Sequence, residues 1–157
     1  MILQSKTYRL EQSQLIPESR EKVFDFFSDA FNLQALTPTF LNFKILTPAP
    51  IDIQSGTLID YKISLFGIPM KWKTRIERFE RNVAFVDTQI KGPYSLWHHT
   101  HTFEDVPDGT LMRDIVLYRL PFGVLGTIAH FFFVRRTLNR IFAHRYDALE
   151  RLLGRKS

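Results

Sequence analysis

The sequence predicts an α+β fold, a curved antiparallel sheet of about seven strands covered by one long C-terminal helix. Three observations predict it. Between residues 57 and 120 apolar and polar side chains alternate with period two, as in strands with one dry face. Residues 124–153 repeat their apolar side chains at helical spacing. The chain of 157 residues also carries 15 phenylalanines, with aromatics at 14%. Rings on that scale fill a large core or line a large hole.

The elements follow in order. "TYRLEQSQLI" (7–16) alternates and reads as a strand that Pro17 stops. "ESREKVFDFFSD" brings Val23, Phe24 and Phe27 to one helical face, with Ser19 as N-cap. A second short helix runs through "NLQALT", capped by Asn32 and ended by Pro38. "FLNFKIL" (40–46) is a strand broken by Pro48 and Pro50. In 57–66, Ile59, Tyr61, Ile63 and Leu65 share a face. After the turn at Gly67, Met70, Trp72, Thr74 and Ile76 share the next. Residues 83–90, "LWHHTHTFE" and "TLMRDIVLYRL" complete the strands, and "PFG" (121–123) ends the sheet. In the final helix, Ile128, Phe131, Leu138, Phe142, Tyr146, Leu149 and Leu153 form one stripe that includes Arg135. It is the only element large enough to cover the dry face.

The length favours one domain, residues 1–157. With no cysteine, disulfides, thiolate nucleophiles and cysteine-ligated zinc are excluded. The N-terminus has no apolar run of signal length, and the longest apolar stretch, 124–134, is far shorter than the ~20 residues of a membrane span. A soluble, cytoplasmic protein is expected, as a monomer or weak homodimer. The net charge of +5 is dispersed and no nucleic-acid motif occurs, so no nucleic-acid partner is expected.

The chemistry concentrates in "GPYSLWHHTHTF" (92–103). On a strand, Trp97, His99, His101 and Phe103 share a face, and the rings make it the inner one. His98 then points to solvent. Around "DVPDG", pairing Glu104 with Leu111 sets Phe103 opposite Met112, His101 opposite Asp114, His99 opposite Val116 and Trp97 opposite Tyr118. A one-residue slip puts Arg113 and Arg119 indoors. Opposed Cβ atoms lie about 4.5–5.5 Å apart, so a His101–Asp114 hydrogen bond is reachable. Asp87 and Gln89 join this face only if the turn at "GPYS" keeps parity.

Three readings compete for these histidines. As metal ligands, His99 and His101 take Asp114 as a third donor, and no further donor is visible. As an acid–base pair, Asp114 orients His101 in an apolar cavity, but no nucleophile is identifiable. As a polar wall, they hydrogen-bond to neighbours and only orient a ligand. The last is preferred, so no metal and no other cofactor is expected.

Four segments carry a family resemblance: "IPESREKVFDFFSDAFNLQALTP" (16–38), "YKISLFGIPMKWKTRIERFE" (61–80), "FVDTQIKGPYSLWHHTHTFE" (85–104) and "GTLMRDIVLYRLPFG" (109–123) before a long helix. The chain resembles the SRPBCC superfamily, also called START-like or helix-grip, and within it the small bacterial cyclase/dehydrase-like ligand-binding proteins. The resemblance implies a sheet gripping the C-terminal helix around an apolar cavity. It implies a hydrophobic small-molecule ligand: a lipid, a polyketide-like molecule or an aromatic. In cyclase relatives, inward polar residues steer an aldol condensation. The residues expected at the ligand are His99, His101, Trp97, Tyr118, Trp72, Tyr61, Phe103, Asp87, Gln89, Phe131 and Arg135. An alternative makes the protein a cyclase or dehydratase, with His101 and Asp114 catalytic. A second alternative is a docking module that meets a partner or a membrane through its basic, aromatic last helix.

Overall fold

The computed structural model describes residues 6–154. Seven strands form one antiparallel sheet: β1 (Thr7–Ile16), β2 (Lys44–Ile45), β3 (Leu58–Leu65), β4 (Ile68–Glu80), β5 (Ala84–Lys91), β6 (Leu96–Val106) and β7 (Gly109–Arg119). Their spatial order is β1-β7-β6-β5-β4-β3-β2. Every neighbour from β2 to β7 is consecutive in sequence, so the sheet is a meander closed at one edge by β1. Helices α1 (Arg20–Phe27) and α2 (Asn32–Ala35) follow β1. The C-terminal helix runs unbroken from Gly123 to Leu153 as α3 (Gly123–Ala129), a π turn (His130–Val134) and α4 (Arg135–Leu153).

Local chemistry accounts for most boundaries. The Ser19 hydroxyl accepts from the Lys22 amide and starts α1, whose Val23, Phe24 and Phe27 are buried. Phe24 sits edge-on to Phe79, Phe85 and Phe103. Phe66 and Gly67 both have positive φ and form a two-residue turn that closes β3 on β4 through the Leu65–Ile68 pair. Register shifts in the β4–β5 pairing lie between Lys73 and Thr74 and between Ile76 and Arg78. Such irregularities bend strands and raise local twist, which suits a curved sheet.

Three expectations at element level need correction. The strand predicted over 40–46 shrinks to Lys44–Ile45, because Thr39–Leu41 form a 3-10 turn and Asn42 is left-handed at φ 46°. Asn32 does not cap α2; its amide donates to the Phe26 carbonyl at 2.9 Å, and Phe31 holds the cap position without a side-chain bond. The stripe on the last helix also differs. Leu138, Phe142, Leu149 and Leu153 are buried as expected, but Ile128, Phe131 and Tyr146 are exposed. The π turn is the cause upstream: its extra residue shifts the phase, so that His130 turns inward in place of Phe131. Within α4, Arg145 takes the inward place given to Tyr146.

Candidate functional site

The β6–β7 register matches the expected one at every position, including His101 opposite Asp114, His99 opposite Val116 and Trp97 opposite Tyr118. The turn before β6 keeps parity, so Asp87 lies opposite His99 and Phe85 opposite His101. His99, His101 and Asp114 are buried, and Asp87 is nearly so.

These side chains form one linked cluster. His101 Nε2 lies 2.6 Å from Asp87 Oδ2, and His99 Nε2 lies 2.8 Å from Asp114 Oδ1. His101 Nδ1 is 3.1 Å from the same Asp114 oxygen. The two imidazoles stack at 3.7 Å, and Phe85 covers the other side of His101 at 4.1 Å. Arg145 closes the cluster from α4. Its Nε and Nη2 donate to Asp114 at 3.0 and 3.1 Å, and its guanidinium lies 5.1 Å from the Phe27 ring.

The electrostatics follow from burial and neighbours. Burial disfavours charge on Asp114, but Arg145 and both histidines outweigh it and hold the carboxyl well below the usual range. Burial likewise opposes charge on Asp87, and His99, His101 and Arg145 pull its pKa down. The histidines diverge. Burial lowers both, yet Asp114 and Asp87 together raise His101, whereas His99 stays lowered by burial and by the charge on His101. His101 is thus the more basic of the two imidazoles. The His99 contact with Asp114 favours the tautomer that donates through Nε2 and leaves Nδ1 free.

The cluster forms the polar end of a cavity of about 200 Å³ between sheet and helix. Tyr61, Trp72, Asp87, Trp97, His99 and His101, six of the residues expected at a ligand, line it. Other expected residues lie elsewhere. Phe103 is core, packed against Phe24 and Phe27. Gln89 faces the turn, where its amide clamps the Tyr94 backbone at 2.7 and 3.1 Å. Tyr118 lies 2.7 Å from His130 through its hydroxyl, and burial pushes its pKa up to about 12. With Phe131 and Arg135 it borders a second hollow near Tyr8. Phe131 misses the first cavity because the π turn rotates it outward, and Arg135, the first residue of α4, is exposed. Asp114 sits behind the histidines rather than on the cavity wall. Its 2.8 Å bond is with His99, while the His101 bond goes to Asp87, so the sequence pairing is right across the strands but the hydrogen bonds are exchanged.

Sequence reasoning missed Arg145 and Tyr94, both on the cavity wall. For Arg145 a signal existed: it lies three residues after Phe142 and four before Leu149.

The curved sheet, the long helix and the largely apolar cavity between them define a helix-grip, START-like protein. The chain belongs to the polyketide cyclase / dehydrase and lipid transport family, whose model matches residues 16–145. Among solved structures it is similar to a protein of unknown function from Staphylococcus aureus, with TM-score 0.70 and 14% identity over 94% of this chain and 93% of that one. The di-domain ARO/CYC StfQ of the steffimycin biosynthetic pathway gives TM-score 0.74 at 10% identity, over 94% of this chain and 51% of the other. The nucleoside-diphosphate sugar epimerase from Corynebacterium glutamicum is 28% identical with TM-score 0.63, and 89% of this chain matches 28% of that larger one. Comparison with curated proteins returns no match.

Proposed function

We propose that this protein binds a planar, largely apolar molecule bearing at least one oxygen, held between sheet and C-terminal helix. The observation that carries the reading is the cavity itself, with aromatic walls and a polar cluster at Asp87, His99 and His101. The rings of Tyr61, Trp72 and Trp97 on the cavity wall favour an aromatic ring system. The indole N–H of Trp72, on the same wall, is buried without a partner among the described residues. An acceptor oxygen on the ligand would satisfy it. The names of the family and of StfQ support an aromatic or polyketide-like ligand, and the family name supports a lipid equally.

Native mass spectrometry of the protein as isolated, followed by quenching of Trp72 and Trp97 fluorescence with naphthol and anthraquinone probes, tests the reading. We expect saturable binding in the wild type. Leu33→Trp, which fills the cavity from α2, should weaken it at least about tenfold, as loss of one good apolar contact does. A wild type that binds no probe, or a variant that binds as well, defeats the reading.

A second reading makes the same pocket catalytic. The free Nδ1 of His99, its tautomer fixed by Asp114, is placed to take a proton from a bound carbon acid. This moves the role of base from His101 to His99. His99→Gln would then slow turnover by about 10²–10⁴-fold with little change in KM. A pure carrier shows no turnover to lose.

A further inference from the structure

The same three polar side chains support a site of another kind. We infer that Asp87, His99 and His101 bind one first-row divalent cation of the zinc, iron(II) or cobalt(II) type. The sequence reading set a metal aside for want of another donor beside His99, His101 and Asp114. The structure brings up Asp87 instead, with one donor atom from each of the three residues within 4.8 Å of the others.

The donor set has the right chemistry. Two imidazoles and a carboxylate suit a borderline-soft cation, and three protein donors leave a position open toward the cavity. Two donor separations need only a small change, and the stacked imidazoles, 3.7 Å apart with planes 29° from parallel, must splay so that both lone pairs point at the ion. Around a four-coordinate ion with bonds of about 2.0–2.1 Å, donor atoms sit about 3.3 Å apart. His99 Nδ1 is 3.9 Å from Asp87 Oδ2, and His101 Nε2 is 2.6 Å from the same oxygen. One distance closes and the other opens by about 0.6–0.7 Å, which side-chain rotation supplies. The proton shared between His101 Nε2 and Asp87 leaves to solvent as the cation takes its place.

The surroundings fit as well. Histidine ligands of metals give their outer ring nitrogen to a carboxylate that fixes tautomer and ring orientation. Asp114 stands in that position for His99, 2.8 Å from its Nε2, and lies 3.1 Å from His101 Nδ1, which Arg145 Nη2 also approaches at 3.4 Å. Arg145 holds Asp114 in turn through two hydrogen bonds. With both histidines neutral, Asp87, Asp114 and Arg145 sum to −1, and a divalent cation brings the total to +1. The open position therefore favours an anionic oxygen: a carboxylate, phenolate or enolate of the bound molecule. That preference rests on the binding reading above; the metal site rests on the cluster alone.

The test uses Zn²⁺ and Co²⁺ by themselves on chelator-stripped full-length protein. Equilibrium dialysis with elemental analysis should show one cation per chain. Asp87→Asn and His101→Gln should each weaken binding by at least about tenfold. No saturable binding by the wild type overturns the inference. So does binding that both variants retain, which would place the cation on outer histidines such as His98 or His144. If a variant loses its fold, Co²⁺-induced paramagnetic shifts of the His99 and His101 ring protons in the wild type decide: shifted signals support the site and unshifted ones overturn it. Probe binding by stripped protein that takes up no cation would sink the metal site and leave the binding reading standing.

Discussion

Arg145 is a cation enclosed by a phenylalanine, two imidazoles and a carboxylate, and only 5% of it is exposed. Breaking a buried ion pair from one side leaves the other charge without compensation, at a cost of about 3–5 kcal/mol. Arg145→Met should therefore destabilise the protein by that amount in urea denaturation, and adding Asp114→Asn should recover part of the loss. Equal stability of wild type and single variant would mean that Asp114 finds another cation. A second buried histidine gives a pH prediction. His130 faces Tyr118 and Tyr8 from the sheet, with Lys6 and Arg135 nearby. Burial, then Arg135 and Lys6, lower its pKa. A group whose folded pKa lies below its unfolded value of about 6.5 binds its proton first in the unfolded chain. Stability is therefore lost as pH falls below about 6.5, and His130→Gln should lose less over the same range. Melting temperatures of both proteins between neutral and mildly acid pH check the sign. At this scale the sequence showed the inward pair His99 and His101 and their facing Asp114, because strand alternation fixes orientation. Arg145 escaped because an apolar stripe is sought among apolar residues, and charge masks a buried position that only a facing carboxylate explains.

The strands were legible because period two is a strong signal and short turns set register. The "DVPDG" turn and the cost of burying Arg113 left one acceptable pairing of β6 with β7, and the structure has it. The π turn was not legible. No glycine or proline interrupts His130–Val134, and five residues of a π turn look like five residues of an α-helix. Its consequence is a phase error of about 100° for everything on its N-terminal side, which misplaced Ile128 and, at the turn itself, Phe131. The turn behaves as a one-residue insertion, so deleting Phe132, an exposed ring, should convert it to regular α-helix. The expected result is retained helicity and a stability change within about 1 kcal/mol, since the ends keep their packing phase. Deleting Asn139, inside α4, should cost far more, because it rotates Leu138 away from Phe142 and the core. Circular dichroism melts of the two deletions separate the outcomes, and equal losses would mean that the π turn is not an insertion.

Across the whole molecule, the aromatic richness called for a large core or a large hollow, and rings are found in both. What composition did not show is how many rings remain outside. Phe66 sits at the tip of the β3–β4 turn, mostly exposed, with its ring 5.9 Å from Phe133. Phe131, Phe132 and Phe133 are all exposed, as are Phe122 and Leu125. Leu65, beside Phe66, lines the cavity, so this surface adjoins the ligand space. Its charge is one-sided: residues 115–146 contain no aspartate or glutamate, while Arg135, Arg136 and Arg140 are exposed. Exposed rings beside unopposed arginines fit the interface of an anionic bilayer, where apolar side chains insert and each arginine adds about 1 kcal/mol. We therefore expect cosedimentation with phosphatidylglycerol-containing vesicles and little with pure phosphatidylcholine. Neutralising Arg135 and Arg136 should weaken binding roughly 30-fold at ~1 kcal/mol each, and added salt should do the same. Phe66→Ser with Phe133→Ser should abolish it while leaving probe binding in the cavity intact. Binding that ignores lipid charge, or survives loss of both rings, would refute the membrane contact and leave the aromatic surface to a protein partner.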